Sequence, residues 1–348
     1  MIEKRSFGKT KVGETTLYIL ENKNGAKITV SDYGAILVSV LVPDVDGKLI
    51  DVVLGYDTAG EYEASDKWFG ATVGRVANRI SDATFTLNGK TYGLTPNDNM
   101  NTLHGGRDFY NNRMWEVKDI DEGDVYTSIT FAIISEDGDQ GFPGKVDISV
   151  TYRWNNDNSL DLIYNAKADK DTPLNLTNHS YFNLDGHNSG NILDEEVWIN
   201  AEVFAKTDEF SIPDGGFVPV EDTPMDFTER KQIGKDINAD YIALKYGNGY
   251  DHSYELLNEG YEEVASLYAA KTGITMEVYT DMPAMQLYSG NFLVNEKGKS
   301  GAIYGKRGGI CFETQYTPNA INVPEFKSCV LLKGEDFTSR TTYKFITE

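Results

Sequence analysis

The chain has 348 residues, with 32 Lys and Arg against 54 Asp and Glu, a formal net charge of −22. That balance argues against a nucleic-acid backbone or an anionic membrane surface as partner, because both need a positive footprint. Hydrophobic residues at 40% and charged residues at 25% match an ordinary globular chain with enough apolar side chains for a sizeable core.

A soft prior of about 150 residues per domain allows two domains. No Ser/Pro-rich linker, low-complexity tract or long-period repeat marks a boundary, so a single domain over 1–348 is expected. The opening MIEKRSFGKT mixes both charge signs and lacks an apolar stretch, so no signal peptide is expected. The longest apolar run, 35–43, is far short of the ~20 residues of a membrane span. Two isolated cysteines, Cys311 and Cys329, read as reduced, partly buried thiols, which makes the cytoplasm the default compartment.

In chain order, residues 16–21 alternate and end at an Asn24-Gly25 turn, with 27–31 as the hairpin partner. Strands follow at 38–42 and 50–54, and 62–69 reads as a short helix. Residues 83–87 and 91–94 flank a second hairpin signal, Asn88-Gly89. Longer strands are expected at 125–134, 146–154 and 160–168, the last two joined by Asn155-Asn156-Asp157-Asn158. Further strands are expected at 174–177, 196–204, 274–280, 284–288 and 310–316. Period two dominates, so the expected fold is all-β: one large antiparallel β-sandwich with few short helices.

Several catalytic signatures fail on inspection. Gly298-Lys299-Ser300 ends like a phosphate-binding loop, but Leu293 stands where its first glycine belongs. Gly247-Asn248-Gly249 meets His252 where a dinucleotide fingerprint needs glycine. Neither a nucleophile elbow nor a zinc-protease helix motif occurs, and no metal site is expected.

The chain has 4 histidines, so each can be weighed. His187 lies in a turn-like loop and reads as plain surface. His104 is followed by Gly105 and Gly106, which suits a sharp bend where something approaches closely. On a strand, Asn175, Thr177, His179 and Tyr181 would share one face, too polar for a dry core and too aromatic for an idle surface. Alternation puts Cys311, Glu313 and Gln315 on one side of their strand. Glu313 is then either exposed or part-buried, and part burial would raise its pKa into the range of a general base. Asp251-His252 is a site candidate or a solvated turn.

These segments together carry a resemblance. Gly74-Arg75-Val76-Ala77-Asn78-Arg79-Ile80, Asn101-Thr102-Leu103-His104-Gly105-Gly106 and Asp139-Gln140-Gly141-Phe142-Pro143-Gly144 come first. Leu176-Thr177-Asn178-His179-Ser180-Tyr181-Phe182-Asn183-Leu184, Gly249-Tyr250-Asp251-His252, Glu313-Thr314-Gln315 and Pro318-Asn319-Ala320 follow. Each is weak alone; in this order, across most of the chain, they resemble the aldose 1-epimerase (galactose mutarotase) family.

The resemblance implies a galactose mutarotase-like supersandwich with an open cleft for a free aldohexose. It implies an isomerase of hexose metabolism that interconverts α and β anomers of galactose and glucose, without cofactor or metal. By matching position, His179 is the implied general acid, Glu313 the general base, and His104 a group that polarises the ring oxygen. Asn78, Arg79, His104, His179, Tyr181, Asp251 and Gln286 are the implied substrate contacts. Which of His104 and His179 donates the proton stays open. The expected partner is the small sugar alone, with the chain a monomer or weak homodimer. Rival readings are a glycoside hydrolase using Glu313 and Asp251, a sugar-phosphate epimerase using Arg75 and Arg79, and a non-catalytic sugar-binding module.

Overall fold

The computed structural model describes residues 2–347. Three antiparallel sheets dominate. The first is a meander of Ile2–Thr10, Gly13–Glu21, Lys27–Ser31, Ile36–Pro43 and Leu49–Asp51. The second has nine strands in the spatial order Glu116–Glu122, Tyr126–Ser135, Val146–Asn155, Ser159–Ala168, Asp336–Thr347, Ile274–Thr280, Glu262–Ala269, Glu196–Ile199 and Lys231–Gln232. The third orders Pro213–Pro219, Val203–Thr207, Asp251–Glu255, Ala284–Tyr288 and Cys311–Gln315.

One face of the nine-stranded sheet packs on both smaller sheets, which is the sandwich the alternating pattern predicts. Trp154 donates its indole N–H to the carbonyl of Ala26 at 3.0 Å, tying it to the first sheet. Tyr343 donates to the carbonyl of Phe312 at 2.8 Å, tying it to the third. Leu160, Leu162, Val278, Leu287 and Phe312 belong to one continuous apolar core running through all three sheets. Val146–Asn155 shows the cause: every second side chain is buried and the others reach toward solvent.

Several expectations need correction. Ile2–Thr10, Glu116–Glu122, Pro213–Pro219, Asp251–Glu255, Glu262–Ala269 and Asp336–Thr347 are strands that the apolar alternation did not announce. The first two are edge strands, polar on most positions, so they lack the pattern. The strand expected over 196–204 is two, Glu196–Ile199 and Val203–Thr207, because the chain crosses between sheets. Of the strand expected over 174–177, residues 174–176 fall between Thr172–Pro173 and Thr177–His179. The helix is Ala59–Ala64 rather than 62–69: Thr58 caps it, accepting from the N–H of Glu61, whose carboxylate accepts from the N–H of Thr58. Among the described residues the other α-helix is Ile242–Gly247, and no helix is long and apolar enough to cross a membrane.

Candidate active site

A cleft of about 250 Å³ opens beside the third sheet, lined by Asn78, Arg79, His104, His179, Tyr181, Asp251 and Glu313. That volume lies below the usual range for drug-sized ligands and suits a small one. Gln286 stands directly behind, donating its amide N–H to Asp251 Oδ1 at 2.7 Å. Every catalytic or substrate-binding residue implied by the resemblance therefore lies in or against one cavity.

The sheet register explains the placement. Asp251 pairs with Tyr288, and Tyr288 with Cys311; one step along, Ser253 pairs with Gln286, and Gln286 with Glu313. Pairing residues share a face, so Asp251, Gln286 and Glu313 emerge together. The intervening His252 turns to the other face, where its Nδ1 accepts from the N–H of Asp251 at 3.0 Å and its ring meets Phe204. Thr177–His179 lies across the strand Cys311–Gln315. His179 Nε2 comes within 3.7 Å of Glu313 Oε1, both buried. Of the face expected to be shared, His179 and Tyr181 line the cleft. Asn175 does not; its amide exchanges two hydrogen bonds with the main chain of Tyr316.

His104 sits in the sharp bend its glycines suggest. A side chain on Gly105, at φ +86°, would put Cβ 2.2 Å from the carbonyl oxygen of Gly74. Asn78 N–H donates to Nδ1 of His104 at 3.2 Å, so the ring proton resides on Nε2. Arg79 is fixed by Asp98, which accepts from its Nε at 2.8 Å.

Burial sets the charges. It lifts the Glu313 carboxyl well above the usual carboxylate range; neighbouring Asp251 adds to this and Arg79 opposes it. It also lifts Asp251, against Arg79 and the Gln286 hydrogen bond. It pushes His179 down to about 4 and His104 well below its ordinary value, with His179 and Arg79 contributing to the latter. At neutral pH both imidazoles are uncharged, and burial favours the protonated acid at Glu313 beside them.

Sequence reasoning missed the aromatic walls. Trp68 lies nearly parallel to His179 at 6.1 Å and edge-on to His104 at 4.9 Å. Tyr288 and Phe292 also line the cleft. The misplaced helix hid Trp68: the Thr58–Glu61 capping box moves the helix back, so 66–68 become loop. Cys311 was placed on the right face, and its Sγ lies 3.5 Å from His179 Nδ1. His179, Cys311 and Glu313 bring potential metal ligands within 4.8 Å of one another. Cys311 Sγ faces Nδ1 and Glu313 Oε1 faces Nε2 of the same ring.

Two expectations change. His187 is half-buried rather than plain surface, its Nδ1 lying 3.0 Å from the Tyr304 hydroxyl. Arg75 is fully buried outside the cleft, donating to the carbonyls of Pro143, Gly144, Ser135 and Glu136. It offers nothing to a phosphate.

The family described as "Aldose 1-epimerase" matches residues 16–344. A galactose mutarotase from Sus scrofa is 40% identical over 321 residues, 92% of this chain and 91% of that protein. An aldose 1-epimerase from Escherichia coli (strain K12) is 36% identical over 336 residues, 95% of each. The solved structure of an aldose epimerase homologue from C. elegans superposes with a TM-score of 0.87 at 31% identity, covering 96% of this chain and 99% of that one. That of galactose 1-epimerase from Lactobacillus acidophilus gives a TM-score of 0.88 at 27% identity, covering 100% and 99%.

Proposed function

The chain belongs to the aldose 1-epimerase family, and from that premise we propose how its cleft works. The protein is an isomerase that interconverts the α and β anomers of aldoses. Its substrates are free aldohexoses, galactose and glucose, bound by Asn78, Arg79, His104, Tyr181 and Asp251 with Gln286 behind.

The observation that carries the reading is the His179–Glu313 pair, an imidazole nitrogen and a carboxyl oxygen 3.7 Å apart and both buried in the cleft. Glu313, as carboxylate, takes the proton of the C1 hydroxyl. The C1–O5 bond breaks, its electrons pass to O5, and His179 delivers a proton there. Rotation about C1–C2 presents the other face of the aldehyde, and the same transfers in reverse close the ring. Neither group needs regeneration by solvent. The resting pair is neutral because burial disfavours both charges, and the reactive ion pair forms when the proton passes from Glu313 to His179. Arg79 favours that form, as do sugar hydroxyls donating to the carboxylate. His104, holding its proton on Nε2, polarises the ring oxygen as a neutral donor. Trp68 and Tyr181 offer apolar faces to the sugar ring.

The acting unit is one domain, with one core joining its sheets, working alone or as a weak homodimer. A cytoplasmic setting fits two free, buried cysteines. The test is polarimetry of freshly dissolved α-D-galactose. Faster approach to the same final rotation is expected; no acceleration with either galactose or glucose would overturn the reading.

A further inference from the structure

Beneath the cleft, the row Ser253, Gln286, Glu313 crosses three strands side by side, with Gln315 one step along its strand on the same face. Oγ of Ser253, Oε1 of Gln286, Oε2 of Glu313 and both amide atoms of Gln315 are buried without a hydrogen-bond partner among the described residues. So is Oγ1 of Thr177, on the strand laid over them. Native interiors leave few such atoms, and each one costs folding free energy. Their concentration in one layer around a single carboxyl group calls for a common partner. The residue paired with Gln315 is Ala284, which offers its amide no side-chain hydrogen-bond partner.

We propose that this layer is a built hydration site, in which ordered water bridges Gln315, Ser253 and Thr177 to Oε2 of Glu313 and makes Gln315 a positioning residue for the base. Water takes two to four polar partners in such places and is held as part of the structure. Its hydrogen bond to Oε2 favours the ionised carboxylate on the side away from the sugar. The other groups acting on Glu313 are Arg79, which also favours ionisation, and Asp251, which opposes it. His179 stands against it, with the neutral Cys311, Tyr181, Tyr288 and Tyr343 around it. The functional half rests on Glu313 being the base; the existence of the water does not.

The test combines a crystal structure of the unliganded protein at about 1.2 Å with pH–rate profiles of Gln315→Leu and Ser253→Ala. Density within hydrogen-bond distance of Gln315 Nε2 and Glu313 Oε2 is expected. In the variants kcat falls roughly tenfold or more for loss of a hydrogen bond to a charged group, KM stays within about twofold, and the alkaline limb of the kcat profile, where the neutral pair ionises at Glu313, moves to higher pH while the acid limb stays. A purely structural role would lower thermal stability and leave the alkaline limb in place. A dry layer, or an alkaline limb that does not move, overturns the proposal. Should Gln315→Leu fail to fold, the small truncation Ser253→Ala decides the kinetic arm. If Glu313→Gln keeps full activity, the base assignment fails, while the density still decides whether the hydration site exists.

Discussion

Asn78 and His104 hold each other by two hydrogen bonds: the N–H of Asn78 donates to Nδ1 of His104 at 3.2 Å, and the N–H of His104 donates to the carbonyl of Asn78 at 3.1 Å. Both residues have left-handed backbone, at φ 61° and 51°. The pair fixes one tautomer of a buried imidazole without any charged partner, which preserves the neutral donor that the proposed mechanism requires.

Gly105→Ala tests that bend. Its Cβ would meet the carbonyl oxygen of Gly74 at 2.2 Å, in a backbone conformation that L residues rarely adopt. A stability loss of about 1–3 kcal/mol is expected, with reduced kcat as His104 shifts. An unchanged melting temperature would show that the loop relaxes at no cost.

Glu313→Gln removes the proposed base and preserves the shape. With general base catalysis worth roughly 10²–10⁴-fold, kcat in polarimetry should fall by that factor and circular dichroism should stay unchanged. Activity within threefold of the parent would remove Glu313 from the mechanism.

Asp98→Asn acts one residue further out. Its carboxylate fixes Arg79 through a part-buried contact of 2.8 Å. Loosening the guanidinium should raise KM about tenfold, on the scale of one charge-assisted hydrogen bond, with a smaller effect on kcat. A change in kcat alone would mean that Arg79 serves the chemical step rather than binding.

The buried histidines predict a pH dependence of stability. His252 and His179 are pushed to about 4 by burial, against an ordinary value of 6.5. Between those values the unfolded chain binds protons that the folded chain refuses, so stability falls as pH drops through that window. Each histidine contributes up to about 1.4 kcal/mol per pH unit. Glu313 works oppositely: its raised pKa costs stability as pH rises above its ordinary 4.5. His252→Asn, away from the cleft, should flatten the melting-temperature slope between pH 4 and 6.5. An identical slope would refute the assignment.

How far the sequence could be read follows the physics of each segment. Strands buried on one face, such as Val146–Asn155, show their period directly. Edge strands such as Glu116–Glu122 bury little and carry no pattern. Asp336–Thr347 lies mid-sheet, yet its Thr, Ser and Arg residues hide it; Thr314 and Thr341 hydroxyls bond inside the core instead of apolar side chains meeting there. For the site, His179 and Glu313 stood out as chemistry in apolar company. Trp68 and Phe292 look like ordinary core residues in the sequence, and only the tertiary fold brings them to the cleft.

The strand Asp336–Thr347 lies between Ser159–Ala168 and Ile274–Thr280, joining the two halves of the nine-stranded sheet. During synthesis these halves emerge long before their shared neighbour. Each must wait with an unsatisfied edge until residues 336–347 have left the ribosome. A working cleft is therefore expected only once that strand has emerged, and a message truncated ahead of residue 336 should yield aggregating protein rather than a weakened enzyme.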